Sequence, residues 1–122
     1  MQIDVKGRNL QVTDEIREYA EKRFAKIAKQ VSELAELRLE VADENVPGDA
    51  IAADVVLRLK GTELRAKEVS KDPKHAINLV ADNLERQVKR HREKRRARRE
   101  SRAVADALRT ADAPLEEASE SA

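Results

Sequence analysis

The residues best equipped for chemistry in this chain are cations. Between Arg86 and Arg102, in the run RQVKRHREKRRARRESR, ten of seventeen residues are Lys or Arg and only Glu93 and Glu100 oppose them, a segment charge of +8. The whole chain carries a formal charge of +1, so the remaining residues sum to −7. Segregation of this kind suits a polyanionic partner, because each Lys or Arg set beside a phosphate releases a condensed counterion. The plain alternative is a helix face whose charges are merely solvated.

Other chemistries lack their parts. His75 and His91 are the only histidines, and each stands among lysines and arginines rather than beside carboxylate partners, so no metal site is indicated. There is no cysteine, no glycine-rich phosphate loop and no G-x-S-x-G elbow. The acidic pairs Asp43-Glu44 and Glu116-Glu117 fall in loop and tail segments, where solvated carboxylates are the default. The sequence therefore reads as a binding protein, with no catalytic role, no cofactor, no metal and no small-molecule substrate. Without cysteine, and with an N-terminus (MQIDVKGRN) lacking an apolar h-region, secretion is not indicated, and no run approaches the ~18 apolar residues of a membrane span. A soluble cytoplasmic protein is expected.

Length and composition limit what can position the cations. A chain of 122 residues has room for one domain. It is 40% hydrophobic and 40% charged but only 2% aromatic, so the core must be built from aliphatic side chains with Tyr19 and Phe24 as its rings. Such a core is thin.

The pattern predicts six elements. Ile3, Val5 and Gly7 alternate with Asp4, Lys6 and Arg8, the period of a half-buried strand. Thr13 is a good N-cap, Asp14 and Glu15 suit a first helical turn, and Ile16, Tyr19, Ala20, Phe24, Ile27 and Val31 form one apolar stripe, giving a helix over about 14–30. Leu37, Leu39 and Val41 alternate with Arg38 and Glu40, and Ala53, Val55, Leu57 and Leu59 with Asp54, Val56, Arg58 and Lys60, on either side of a turn-rich stretch from Asp43 to Asp49. Gly61 reverses the chain into a fourth strand from Thr62 to Val69, with Leu64 and Ala66 inward. Asp72 and Pro73 are an N-cap and first helical residue, and Ile77, Val80, Ala81, Leu84 and Val88 make the second stripe. Continued, that stripe lands on His91, Arg92 and Arg95, so the helix, expected over 73–100, runs out of core to cover after Val88 and should project with basic residues on all sides. The fold class is α+β in the order β-α-β-β-β-α, a four-stranded sheet with both helices packed on one face. Residues 1–102 are expected to form the binding domain. Residues 103–122, with five acidic residues and one Arg, are expected to be an acidic tail, disordered or at most a frayed continuation of the helix.

Candidate phosphate contacts follow from this layout. The basic helix supplies Arg86, Lys89, Arg90, Arg92, Lys94 and Arg95, and on the first helix Arg23 and Lys26 flank the apolar stripe. The strand face turned away from the helices carries Lys6, Arg8, Arg38, Arg58, Lys60, Arg65 and Lys67 against Asp4, Glu40, Asp54 and Glu63, an expected net +3. No aromatic residue stands at an outward strand position to stack a base, which leaves phosphate and shape recognition, the mode suited to structured RNA.

Several stretches are familiar as a set. Gly7-Arg8-Asn9, Val12-Thr13, Ile16-Arg17-Glu18-Tyr19 and Leu84-Glu85-Arg86-Gln87 resemble, in order and spacing, the ribosome hibernation-promoting factor family, the group that includes ribosome-associated inhibitor (protein Y). The resemblance covers about residues 2–96. It implies the same β-α-β-β-β-α fold, and a protein that binds the small ribosomal subunit in the channel between head and body where mRNA and tRNA lie, inhibiting translation under stress or in stationary phase. It places basic rRNA contacts on Arg23, Lys26, Arg86, Lys89 and Arg90. Two departures stand out: many members have Lys where this chain has Asn83, and many open the second helix with Asp-Met-Tyr-Ala where this chain has Asp72-Pro73-Lys74-His75-Ala76. The arginines after Arg90 are expected to compensate for the missing lysine. Long members continue into a second domain that dimerises and joins two ribosomes. Residues 103–122 offer only Val104, Leu108 and Leu115 as large apolar residues, so this chain is expected to be a monomer that does not pair ribosomes. The alternatives are a generic structured-RNA or nucleoid-binding protein using the same helix, and a module docking an acidic protein. Membrane attachment is not expected, because the basic helix has no apolar face past Val88.

Overall fold

The computed structural model describes residues 1–111. The strands are β1 (Gln2–Arg8), β2 (Glu36–Asp43), β3 (Ile51–Leu59) and β4 (Thr62–Ser70), and the helices are α1 (Asp14–Ala28) and α2 (Pro73–Ala111), in the order β1-α1-β2-β3-β4-α2. The sheet runs β1-β2-β3-β4, with β1 parallel to β2 and the other pairs antiparallel. Parallel pairing of β1 and β2 is what requires a crossover element between them, and α1 fills that place. The expected α+β class, strand count and element order are all present.

Register sorts the side chains. Val5, Leu39, Val55 and Ala66 lie across one row, and Ile3, Leu37, Leu57 and Leu64 across the next, all facing the helices. Against them α1 buries Ala20, Phe24 and Ile27, and α2 buries Ala76, Ile77, Val80, Ala81, Leu84 and Val88. Phe24 is fully buried, and Tyr19 packs partly buried at the margin of the same cluster. Both apolar stripes therefore meet one face of the sheet, at a gain of about 25 cal/mol for each Å² of apolar surface removed from water.

The helix starts are chemical. Thr13 Oγ1 accepts the Ile16 amide at 3.2 Å and its carbonyl takes the Arg17 amide, so Thr13 caps α1. Asp72 does the same for α2, accepting the His75 amide on its carboxylate at 3.0 Å and the Ala76 amide on its carbonyl at 2.9 Å. α1 stops at Ala28 rather than near 30, because Lys29 is its C-cap and the Gln30 amide closes a tighter turn onto the Ile27 carbonyl. At the other end α2 outruns expectation, continuing to Ala111 rather than about 100. Ala103, Ala105 and Ala107 favour helix, and Val104 and Leu108 remain exposed along it. The first part of the expected tail is therefore helical, and its remainder, 112–122, lies outside the described residues. The chain divides into two compact units after Val88, the last buried residue among the described side chains of α2.

Two of the familiar stretches have local causes. A Cβ on Gly7 would lie 2.1 Å from the Leu10 carbonyl oxygen and 3.0 Å from Val12 Cγ2, so only glycine lets the segment after β1 fold back over the strand. Asn9 takes φ 57 within that return, a conformation Asn tolerates better than most residues. Two outcomes are expected. Gly7→Ala should lower unfolding free energy by about 1–3 kcal/mol in urea titration, since backbone rather than a flexible side chain must move. Thr13→Ala should cost about 1 kcal/mol by the same measurement, with the folded circular-dichroism spectrum retained.

Candidate nucleic-acid interface

From Lys89 to Arg102 the cations of α2 lie in water. Lys89, Arg90, Arg92, Lys94 and Arg95 are all exposed, and His91 alone in this stretch is half-buried. Arg, Lys, Ala and Glu are strong helix formers, which offsets the mutual repulsion of the like charges. Held in a helix, these cations would not have to order their backbone on meeting a row of anions.

Within Met1–Val88 the Leu84-Glu85-Arg86-Gln87 stretch separates into roles. Leu84 is fully buried. Glu85 accepts from Arg23 of α1. Gln87 Nε2 donates to the Arg65 carbonyl of β4 at 2.7 Å and to Asn83 Oδ1 at 3.0 Å, while Asn83 Nδ2 donates to Glu68 at 2.9 Å. Three of the four residues thus hold α2 to α1 or to β4, and Arg86 alone is exposed for a ligand. Asn83, which stands where a lysine was expected, is part of the β4 attachment.

Arg23 differs most from its expected role. Its Nε donates to Asn78 Oδ1 at 2.8 Å, and its two terminal nitrogens donate to the carboxylates of Asp82 and Glu85. Only 14% of the side chain is exposed. All three guanidinium nitrogens bond to side chains of α2, so Arg23 ties the two helices together. Asn78, Asp82 and Glu85 went unrecognised from sequence. Their spacing of four and three places them on one face of a helix, which was the available signal. Lys26, in the last turn of α1, is exposed as expected.

The outer sheet face is less basic than expected. By register it presents Asp4, Lys6 and Arg8 on β1, Glu36, Arg38 and Glu40 on β2, Asp54 and Arg58 on β3, and Glu63, Arg65 and Lys67 on β4. Six cations face five carboxylates, a net +1 instead of +3. The difference is Glu36, which belongs to this face, and Lys60, which lies in the β3–β4 turn. Arg8 bonds to Glu40 at 3.2 Å, Arg58 to Glu63 at 3.3 Å, and Lys67 approaches Glu44 at 3.7 Å. Lys6 is exposed and lines a shallow depression of about 280 Å³ with Asp4, Arg38, Glu40, Asp54 and Arg65, where the charges balance. This is a mixed-charge solvated surface.

The start of α2 uses its unusual residues for anchorage. Ser70 Oγ lies 2.7 Å from His75 Nδ1 and 3.5 Å from the Asp72 amide. This resembles a serine–histidine pair, but the neighbouring carboxylate, Asp72, is engaged by the His75 backbone amide and serves as the cap. Lys74 bonds to Glu15 of α1, which raises the lysine pKa above its usual value, and its ammonium stands 5.9 Å from the centre of the Tyr19 ring. Among the described residues no cluster of His, Cys, Asp or Glu could hold a metal ion, and no helix is long and apolar enough to cross a membrane.

Comparison with known proteins completes the picture. Residues 3–96 match the family described as Sigma 54 modulation protein / S30EA ribosomal protein. A ribosome hibernation promoting factor of Azotobacter vinelandii is 28% identical over 106 residues, which span 87% of this chain and 96% of the relative. A ribosome hibernation promotion factor of Staphylococcus aureus is 31% identical over 102 residues, where the match spans 84% of this chain and 53% of the relative; a Picosynechococcus factor is similarly covered to half its length. Among solved structures, the Thermus thermophilus Protein Y N-terminal domain superposes with a TM-score of 0.65 at 33% identity, covering 75% of this chain and 99% of that domain. A ribosomal subunit interface protein from Coxiella burnetii shares the fold at the same TM-score with 19% identity. The match spans β1 to the basic part of α2, and the chain belongs to the Sigma 54 modulation protein / S30EA ribosomal protein family.

Proposed function

We propose that the protein is a ribosome hibernation factor of the cytoplasm, binding the small ribosomal subunit in the channel where mRNA and tRNA lie and inhibiting translation under stress or in stationary phase. The observation that carries this reading is the exposed cationic run of α2, opening at Arg86, on a fold whose relatives are named ribosome hibernation promoting factors. Arg86, Lys89 and Arg90 are the central contacts, Lys94 and Arg95 extend them, and Lys26 joins from α1.

Recognition is of phosphates and shape. The two aromatic side chains are unavailable for base stacking, Phe24 within the core and Tyr19 beside Lys74. Affinity should then depend steeply on salt. The 122-residue polypeptide is a monomer when free, because Val104 and Leu108 are too small an exposed apolar surface on the described part of its second unit to hold a dimer.

Cosedimentation with purified ribosomal subunits, with free duplex RNA as a control, tests the assignment. Wild-type protein should travel with the small subunit. Charge reversal of Arg86, Lys89 and Arg90 to Glu together should abolish cosedimentation and leave the melting curve near wild type, since all three side chains are exposed. If each phosphate contact adds about 0.7–0.9 to the salt slope, substituting all three by Ala should flatten that slope by roughly 2 or more. Equal binding to duplex RNA and subunits would support the generic RNA-binding alternative instead. In gradient centrifugation of ribosomes with this polypeptide, monomeric ribosomes should persist and no ribosome dimer peak should appear.

A further inference from the structure

The cluster around Arg23 holds one guanidinium against two carboxylates, which leaves a local charge of −1. It stands directly beside the first exposed cation of the basic run. Asp82 is one helical turn before Arg86, and Glu85 is its immediate neighbour. Neither carboxylate is hidden: their side chains are 49% and 30% exposed. A phosphate drawn to Arg86 therefore approaches two partly exposed anions as well. Like charges brought together during docking oppose association unless something local compensates them.

Arg23 is the group placed to compensate. It reaches both carboxylates with separate nitrogens, and its side chain is largely buried. The Asn78 amide oxygen takes the remaining Nε–H and fixes the plane of the guanidinium. A lysine would offer a point charge in place of this fork and could not address three acceptors in one plane.

We propose that Arg23 is a charge-neutralising positioning residue. It holds Asp82 and Glu85 in ion pairs, so that α2 presents Arg86 to phosphate against one net negative charge instead of two, and it makes no phosphate contact itself. This rests on the polyanion-binding reading of α2, and it assigns Arg23 a role different from that of Arg86.

A thermodynamic cycle tests it with wild type, Arg23→Met, Asp82→Asn/Glu85→Gln, and the triple variant. Affinity for small ribosomal subunits is measured at several salt concentrations, and the salt needed to elute each protein from heparin is measured in parallel. Thermal melts identify the temperature range in which all four are folded. Arg23→Met should weaken subunit binding by about tenfold, elute earlier from heparin, and leave the salt slope unchanged. In the Asn/Gln background the same substitution should have little effect, so that the triple variant recovers affinity although it regains no ion pair. A cost of Arg23→Met that is equally large in both backgrounds, with a salt slope lowered by roughly 0.7–0.9, would show a direct phosphate contact and overturn the proposal. Affinity lost in step with melting temperature and not recovered in the triple variant would reduce Arg23 to a helix tie. Wild-type protein that fails to sediment with small subunits removes the ribosomal assignment alone, because heparin elution still reads the cycle.

Discussion

Ten cations within seventeen residues, opposed by two carboxylates, cannot be taken out of water. Burying one unpaired ion carries a penalty of several kcal/mol, and the basic run contains too few carboxylates to pair more than a fraction of its cations. That constraint governs α2. The helix packs while it has Ala76, Ile77, Val80, Ala81, Leu84 and Val88 to bury, and from Lys89 its cations lie in solvent. The division of the chain at Val88 is the same fact seen in packing, and the helical backbone passes through it without a break. A stretch that cannot join a core yet is built of good helix formers keeps its shape and its charge available for a partner that supplies the missing anions.

Much of the fold was legible because it is local. Thr13 and Asp72 announce helix starts by chemistry that acts within three or four residues, and alternation such as Leu37-Arg38-Leu39-Glu40-Val41 declares both strand and face. The end of α2 was not legible in the same way. A fall in charge density after Arg102 looks like the start of a polar tail, but Ala, Val and Leu continue a helix as readily as Arg does. The sheet face was misjudged through its ends: Glu36 begins β2 just before the apolar alternation, and Lys60 ends the alternation of β3 but occupies the turn. Boundaries decide such counts, and boundaries are where pattern is weakest.

The candidate site was half legible for a different reason. Charge density pointed to Arg86, Lys89, Arg90, Lys94 and Arg95 because their exposure follows from the excess of cations, and the run itself shows that excess. Whether an individual cation is compensated depends on partners distant in sequence. Arg23 meets Asn78, Asp82 and Glu85 from 55 to 62 residues away, and nothing near Arg23 in the chain declares them. The same holds for Gln87 on the Arg65 carbonyl and Asn83 on Glu68. A run of familiar residues such as Leu84-Glu85-Arg86-Gln87 therefore marks the family in sequence, and in three dimensions it is mainly the joint between α2, α1 and β4.

The open sheet has two ends, β1 and β4, and an unpaired strand is a template on which another chain can add. The two ends are guarded differently. On β4 the Gln87 amide occupies the Arg65 carbonyl, so a polar side chain already takes one of the acceptors that an incoming strand could use. On β1 the sequence Asp4-Val5-Lys6-Gly7-Arg8 interleaves charge with its inward residues, and the backbone turns away after Arg8 through Asn9 at positive φ. A second copy aligning in parallel register with that strand would set like charges beside one another along the seam, Asp4 on Asp4, Lys6 on Lys6 and Arg8 on Arg8. Each open edge of the sheet thus carries a local feature that disfavours self-templated aggregation.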